Sequence, residues 1–286
     1  MPWRCWYMPV WNWDEINICR KMLYKHLEKE KVSKLFHKWG GIPRFVLEKA
    51  NDQTQQDKLL DAIARCDEKI FTYIEESESG DHKLIHINTN VLIEENNIEL
   101  KNSDPYTQKV LKFASDYIGE RVTIKLEKTI KSRLNNEIKL SLSCGKSNQF
   151  LGNCFEQIAQ RMLRGGGEFN VRSLDSDQLG TIKLNRQNEI LIFSAVDAIN
   201  NGEYCQPNNK NFPSIDSIIA PNMLFQMTTT REHNIKMIGL IKLYSKLSKT
   251  GNIDLFFVVP AILYNGYKKQ KFINGTNGMP NWIRNQ

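Results

Sequence analysis

The chain has 286 residues, of which 41% are hydrophobic and 25% charged, and its formal net charge is +7. The apolar share supports a sizeable core and excludes global disorder, while the length suits one large domain or two modest ones. The basic excess, with a sequence pI of about 9.0, fits a polyanionic partner, although many ordinary proteins are as basic. The six cysteines (Cys5, Cys19, Cys66, Cys144, Cys154, Cys205) are scattered, without zinc-ligand spacing or a disulfide framework, so reduced thiols in the cytosol or nucleus are expected. No apolar run reaches membrane-spanning length. Residues 1–13 are aromatic rather than a charged n-region before an apolar run, so no secretory signal is expected.

Trp3, Trp6, Tyr7, Trp11 and Trp13 crowd the N-terminus. Such a set either stacks on bases or packs under a covering segment, and packing is the commoner use. Asp14 reads as an N-cap before a helix over 15–31, with Ile18, Met22, Leu23 and Leu27 on one face. A short helix over 32–38 ends at Gly40 and Gly41. Another starts at Pro43, which suits a first helical turn, and runs to 51; a third spans 54–75. Residues 77–81 form a polar break, 83–87 a short strand, and 88–104 an Asn-rich loop with a strand at 91–93. Amphipathic helices follow over 106–118 and 124–138, then one over 148–163 closed by Gly165, Gly166 and Gly167.

The last third changes character. Strands are predicted over 169–174, 180–185, 189–196, 215–219 and 223–228, with the turn signal Pro221 and Asn222 between the last two. A helix over 235–247 and a nearly all-apolar strand over 254–259 complete the chain; by composition that strand belongs at the centre of a sheet.

Within this order, Glu156 lies on a helix, Asp216 on a strand, and Gln226 on the next strand ten residues later. An acid on a helix followed by an acid and a polar acceptor on a strand hairpin is the ligand layout of a restriction-endonuclease-like core. Magnesium takes hard oxygen ligands and keeps several waters, so two or three protein oxygens suffice. A carboxylate flanked by Ile215, Ile218 and Ile219 is disfavoured unless paired or metal-bound. Gln226 and Thr228 stand two apart and share a strand face, where the usual pattern has an acid and a lysine. Glutamine still offers an oxygen, but threonine cannot orient water or neutralise phosphate charge as lysine does. His233 and Lys236 are the nearest substitutes in sequence, and His233 reads equally well as a helix N-terminal residue bonding backbone. Arg161, Arg164, Arg172, Lys183 and Arg186 surround the proposed site in sequence and form a candidate DNA track, against the alternative of ordinary solvation.

In sequence the chain resembles the C-terminal region of Crinkler effectors and the related retrotransposon-hot-spot proteins. The matching stretches are Tyr7-Met-Pro-Val-Trp, Trp39-Gly-Gly-Ile-Pro-Arg44-Phe-Val-Leu, His82-Lys-Leu-Ile-His86-Ile, Phe113-Ala-Ser-Asp-Tyr-Ile, Phe155-Glu156 with Gly165-Gly166-Gly167-Glu-Phe, Asp216, Gln226-Met-Thr228 with His233, and Phe256-Phe-Val-Val-Pro260. They cover most of the chain in order. The resemblance implies a P-loop ATPase followed by an endonuclease-like domain, acting in host nuclei and provoking cell death. It makes 1–76 a helical remnant of an ATPase lid, with Arg44 at the place of a nucleotide sensor. Residues 77–286 become the endonuclease-like domain with an N-terminal helical extension, its core at about 148–286. Gly145, Lys146 and Ser147 imitate the end of a phosphate-binding loop, but Leu140 stands where its first glycine belongs, so no ATP binding is expected of this chain alone.

The expected fold is therefore α/β (α+β), a restriction-endonuclease-like mixed sheet flanked by helices and preceded by a small helical domain. The expected function is a Crinkler-like effector with a magnesium- or manganese-dependent DNA endonuclease-like domain, in which Glu156, Asp216 and Gln226 hold the metal. The alternative is a catalytically inactive DNA- or protein-binding effector that kept the fold, with a host nuclear protein as a second partner class. A third is a regulatory module that works with a separate ATPase. DNA against RNA, sequence preference and oligomeric state are open at this level.

Overall fold

The computed structural model describes residues 9–71, 84–89, 109–144, 149–208, 212–248 and 252–273. Trp3, Trp6, Tyr7, the strand expected at 91–93 and Gly145, Lys146 and Ser147 lie outside the described residues. The chain forms two compact units, residues 1–131 with 148–157 and residues 132–147 with 158–286.

In the first unit, helix α1 (Trp13–Leu23) starts one cap earlier than the sequence predicts. Asn12 Oδ1 accepts from the Glu15 N–H at 2.9 Å and Glu15 Oε2 accepts from the Asn12 N–H at 2.7 Å, a reciprocal capping box that Asp14 cannot make. The break between the two helices, expected at 31 and 32, falls earlier in the chain. A turn carried by Tyr24 and Leu27 separates α1 from α2 (Lys29–Trp39). Ending α1 at Leu23 breaks the expected apolar stripe: Ile16 is the buried residue, whereas Ile18, Met22 and Leu23 are 57%, 67% and 74% exposed.

Gly40 and Gly41 follow α2 because their backbones pass too close to others for a side chain. A Cβ would stand 1.9 Å from the Ala114 carbonyl oxygen at Gly40, and 1.8 Å from that of Trp11 at Gly41. Trp39 stacks on Phe45 at 4.0 Å and donates its indole N–H to Gln56 Oε1 at 2.6 Å. The Gln56 amide in turn donates to the carbonyls of Phe45 and Lys49, which ties the π-helical turn Arg44–Glu48 to α3 (Gln53–Arg65).

The helix expected over 106–118 is in part a strand. β1 (Ile85–Thr89) and β2 (Lys109–Phe113) form an antiparallel pair, and helix α4 (Asp116–Cys144) begins only after it. The run Lys-Val-Leu-Lys-Phe satisfies either period over so few residues, and pairing with β1 decides it. Along α4, Ile118, Val122, Leu126, Ile130, Leu134 and Ile138 recur every fourth residue and are all buried. The helix α5 (Gln149–Gly165) follows, with Phe150, Leu151, Cys154, Ile158, Ala159 and Leu163 buried at helical spacing.

The second unit is mixed α/β. β3 (Gly167–Arg172) and β4 (Leu179–Leu184) form a hairpin of their own. The main sheet has five strands: β5 (Leu191–Phe193), β6 (Tyr204–Pro207), β7 (Ser217–Ile219), β8 (Met223–Met227) and β10 (Asp254–Val258), in spatial order β10-β8-β7-β6-β5. β7 is antiparallel to both β6 and β8; β10 is parallel to β8 and β5 to β6. Between β8 and β10 the chain runs through β9 (Ile235–Lys236) and helix α6 (Met237–Leu243), then α7 (Ala261–Tyr264) leads to β11 (Phe272–Ile273), which pairs with β9. Helix, strand hairpin, helix, strand is the predicted order. The apolar β10, expected at the centre, lies at the edge of the sheet, with 255–258 only half-buried.

One apolar cluster holds this unit together. Phe193, Cys205, Ile218 and Leu224 from the sheet meet Met237, Leu240 and Leu243 of α6. Gly239 sits at the closest approach, where a Cβ would lie 1.8 Å from the Pro213 carbonyl oxygen. Gly239→Ala should therefore destabilise the protein by about 1–3 kcal/mol through overpacking, read as a lower denaturation midpoint in urea. An unchanged midpoint would mean the loop at Pro213 yields freely.

Candidate functional site

Asp216 and Gln226 come together at the hairpin of β7 and β8. Ser217 is in register with Phe225, and the Asp216 N–H also donates to the Phe225 carbonyl at 2.8 Å. Two residues of one strand thus stand against one of the other, the count of a β-bulge, which bends the strand start and re-aims a side chain. The Asp216 carboxylate turns toward β8. Its Oδ2 accepts from Gln226 Nε2 at 2.8 Å and from the Met227 N–H at 2.6 Å. The amide orientation follows from the charge: rotating it would set the Gln226 oxygen against a carboxylate oxygen. Among the described residues, Gln226 Oε1 is left buried without a hydrogen-bond partner, in a residue that is 6% exposed.

Behind Asp216 lies a polar cluster that the sequence reading missed. Gln160 of α5 is 5% exposed, and its Nε2 donates to the Asp216 carbonyl at 3.1 Å. Its Oε1 accepts from Gln206 Nε2 at 2.7 Å and from the Tyr204 hydroxyl, which also pairs with Ser217 Oγ at 2.8 Å. Tyr204 is fully buried. Burial pushes its phenol well above the ordinary range, and the charges of Arg164 and Asp216 act on it with opposite sign. A signal for Gln160 existed in its place one turn beyond Glu156. Tyr204 and Gln206 sit in the four-residue strand Tyr204–Pro207, which carries its own proline and is too short and polar to read as a strand.

Other predicted site residues are placed differently. Glu156 is half-buried on α5 within 148–157, the stretch that belongs to the first unit, whereas Asp216 and Gln226 belong to the second. Thr228 follows β8 and is buried, but its hydroxyl pairs with Thr230 Oγ1 at 3.0 Å and accepts from the Thr230 N–H at 3.2 Å, closing a local turn. His233 is not at a helix start. It lies in the loop before β9, where its N–H donates to Gln270 Oε1 at 2.6 Å, and Gln270 Nε2 answers the carbonyls of Arg231 and Lys268. Burial, then the charge of Lys236, holds its imidazole below the ordinary range.

Of the basic residues, Arg164 and Arg186 lie at one corner. The Arg164 carbonyl accepts from the Gln187 N–H at 2.9 Å, and Gly166, with φ +70°, passes so close that a Cβ would meet the Arg186 nitrogen at 2.6 Å. Arg161 is half-buried on α5, and Lys183 is exposed on β4 opposite Glu168. Arg172 is built into the fold: its guanidinium pairs with Asp177 and donates to the carbonyls of Tyr264 and Tyr267 at 2.9 and 2.6 Å.

Among the described residues, no group of three or more His, Cys, Asp and Glu gathers closely enough to hold a metal ion. Nor, among them, is any helix long and apolar enough to cross a membrane. No family model matches the chain, and no curated protein or solved structure matches it significantly.

Tyr204→Phe removes the hydroxyl shared by Gln160 and Ser217 and leaves both buried groups short of a partner. It should cost about 1–3 kcal/mol in chemical denaturation. The depressed imidazole of His233 sets a pH effect. The folded chain binds that proton less readily than the unfolded chain, so stability is full above the ordinary imidazole range and declines as pH falls through it. His233→Gln should flatten this segment of the stability–pH curve; an unchanged slope would assign the decline to other groups.

Proposed function

We propose that this chain is a Crinkler-like effector whose C-terminal unit is a nuclease-like module directed to host nuclear DNA, in which Asp216 serves the hairpin rather than a cleavage reaction. The observation that carries this reading is the orientation of the Asp216–Gln226 pair. The carboxylate takes two N–H groups, the Gln226 amide and the Met227 backbone, which is the work of an aspartate that pins a strand. Thr228, at the position of the usual lysine, has its hydroxyl in a turn. The DNA track in this proposal is Arg161, Arg164, Lys183 and Arg186, without Arg172, with phosphate contacts supplying affinity.

One observation favours the second reading, a magnesium- or manganese-dependent endonuclease. Gln226 Oε1 is a buried oxygen beside a carboxylate, with no partner among the described residues. A hard cation is held by few protein oxygens when waters and substrate phosphate complete its shell, and Asp216 and Gln226 fit that sparse donor set. Glu156 is the third ligand only by the resemblance. When bound, the ion would activate water and take up charge at the phosphate. The chain's own part is the bulge that fixes Asp216, the amide that Gln226 presents, and the Gln160 bond that holds the Asp216 carbonyl.

Plasmid incubation with magnesium and with manganese, beside DNA-binding titrations over a salt series, separates the two readings. The inactive-module reading expects salt-dependent binding without cleavage. Asp216→Ala should then lower stability by about 1–3 kcal/mol, because two donors lose their acceptor, and leave DNA affinity unchanged under folded conditions. Arg186→Ala and Lys183→Ala should each reduce the salt slope by about 1. Divalent-dependent cleavage lost in Asp216→Ala would establish the second reading instead. Failure to bind DNA at any salt concentration would sink both.

A further inference from the structure

The outer rim of β10 carries an inference independent of the DNA reading. In the sheet, β10 is bonded on one side only, to β8. The Asp254 N–H donates to the Asn222 carbonyl at 2.8 Å, and the Val258 carbonyl accepts from the Thr228 N–H at 3.0 Å. Backbone groups alternate sides along a strand, so 254, 256 and 258 face β8 while Leu255 and Phe257 turn their N–H and C=O outward. Among the described residues, nothing pairs with those outward groups. The side chains, by contrast, are already engaged within the unit: Phe256 stacks on Phe225 at 5.5 Å, Phe257 lies 5.4 Å from Tyr267, and Leu255 packs on the apolar cluster. What β10 offers is therefore a backbone edge, and the occupant that matches a backbone edge is another strand.

Natural edge strands are protected by charge, proline or a bulge. Residues 255–258 read Leu-Phe-Phe-Val, with the nearest charge at Asp254 and the nearest proline at Pro260. That is the composition of a strand covered on both sides. The outward groups are also symmetric. Leu255 and Phe257 flank Phe256, so an antiparallel copy rotated about a two-fold axis at Phe256 sets Leu255 against Phe257 of the other copy and satisfies all the outward groups together. In that register Asp254 stands opposite Val258, so the seam holds no like-charge pair. We propose that a second copy of this chain pairs with β10 about this axis and joins two five-stranded sheets into one.

The test uses the full chain. Sedimentation velocity should show a dimer at micromolar concentration. Leu255→Pro removes one outward N–H and leaves the ladder to β8 intact, since proline is tolerated on an edge. It should abolish the dimer while the far-ultraviolet dichroism stays native. Should that variant fold poorly, Phe256→Cys decides. Opposed residues of a non-hydrogen-bonded pair have Cα atoms about 4.5 Å apart, within disulfide range, so mild oxidation should give a covalent dimer absent from the identically treated wild type. A monomeric wild type, a folded Leu255→Pro that still dimerises, or a Phe256→Cys chain that never cross-links would each overturn the proposal. The first of these would leave the rim to another segment or another protein.

Discussion

A helix can send a side-chain amide into a sheet only if the sheet answers its donors and acceptor, because an unanswered polar group in the interior costs more than a hydrogen bond returns. Gln160 imposes that condition here. Its oxygen is met by Tyr204 and Gln206 on β6, and its nitrogen by the carbonyl of Asp216 at the start of β7. The polar inner positions of β6 and β7 are thus a consequence of one glutamine on α5. The network also fixes register: sliding the helix by one residue would strand every member at once. Asp216 is held from behind by this carbonyl and from the front by the Met227 N–H, so its carboxylate has little freedom whatever it faces.

The two faces of the sheet divide the labour. Tyr204, Gln206 and Ser217 share the face that meets Gln160, while Cys205, Ile218 and Leu224 alternate onto the apolar face that meets α6. Gln226 shares a face with Leu224 and so belongs to the apolar side of β8, next to Phe257 in register. A glutamine at such a position is a local inconsistency of the kind that marks a functional or formerly functional place. Its amide nitrogen is accounted for by Asp216; its oxygen is the part for which the described residues supply no partner.

Much of the second unit was legible because its strands are short apolar runs bounded by glycine, proline and asparagine. The hairpin of β7 and β8, its turn, and the helix before β10 all carry local signals. The juxtaposition of Asp216 with Gln226 followed from strand spacing alone. What sequence could not show depends on partners distant in the chain. The strand character of 109–113 is decided by pairing with β1, not by its own period. The edge position of β10 reverses the inference from its composition, since apolar content reports burial by something, not by which chain. The inward face of α1 was misread because a turn at Tyr24 shortened the helix. Gln160 was overlooked although it stands one turn beyond Glu156, and Tyr204 because a lone tyrosine in so short a strand has no signature until its bonds are seen. Thr228, read by its strand face, lies just past β8, where its hydroxyl is bound into its own turn.

Arg172 ties the hairpin of β3 and β4 to the carbonyls of Tyr264 and Tyr267, at sequence separations of 92 and 95 residues. The hairpin itself closes over a short loop, but its anchors lie far along the chain. Until they arrive, the guanidinium has only its neighbour Asp177 and water to satisfy it. Docking of this arm therefore closes a large loop, at an entropic cost that the two carbonyl bonds must offset. The arginine that sequence reading assigned to nucleic acid is then a clasp between distant stretches of the chain.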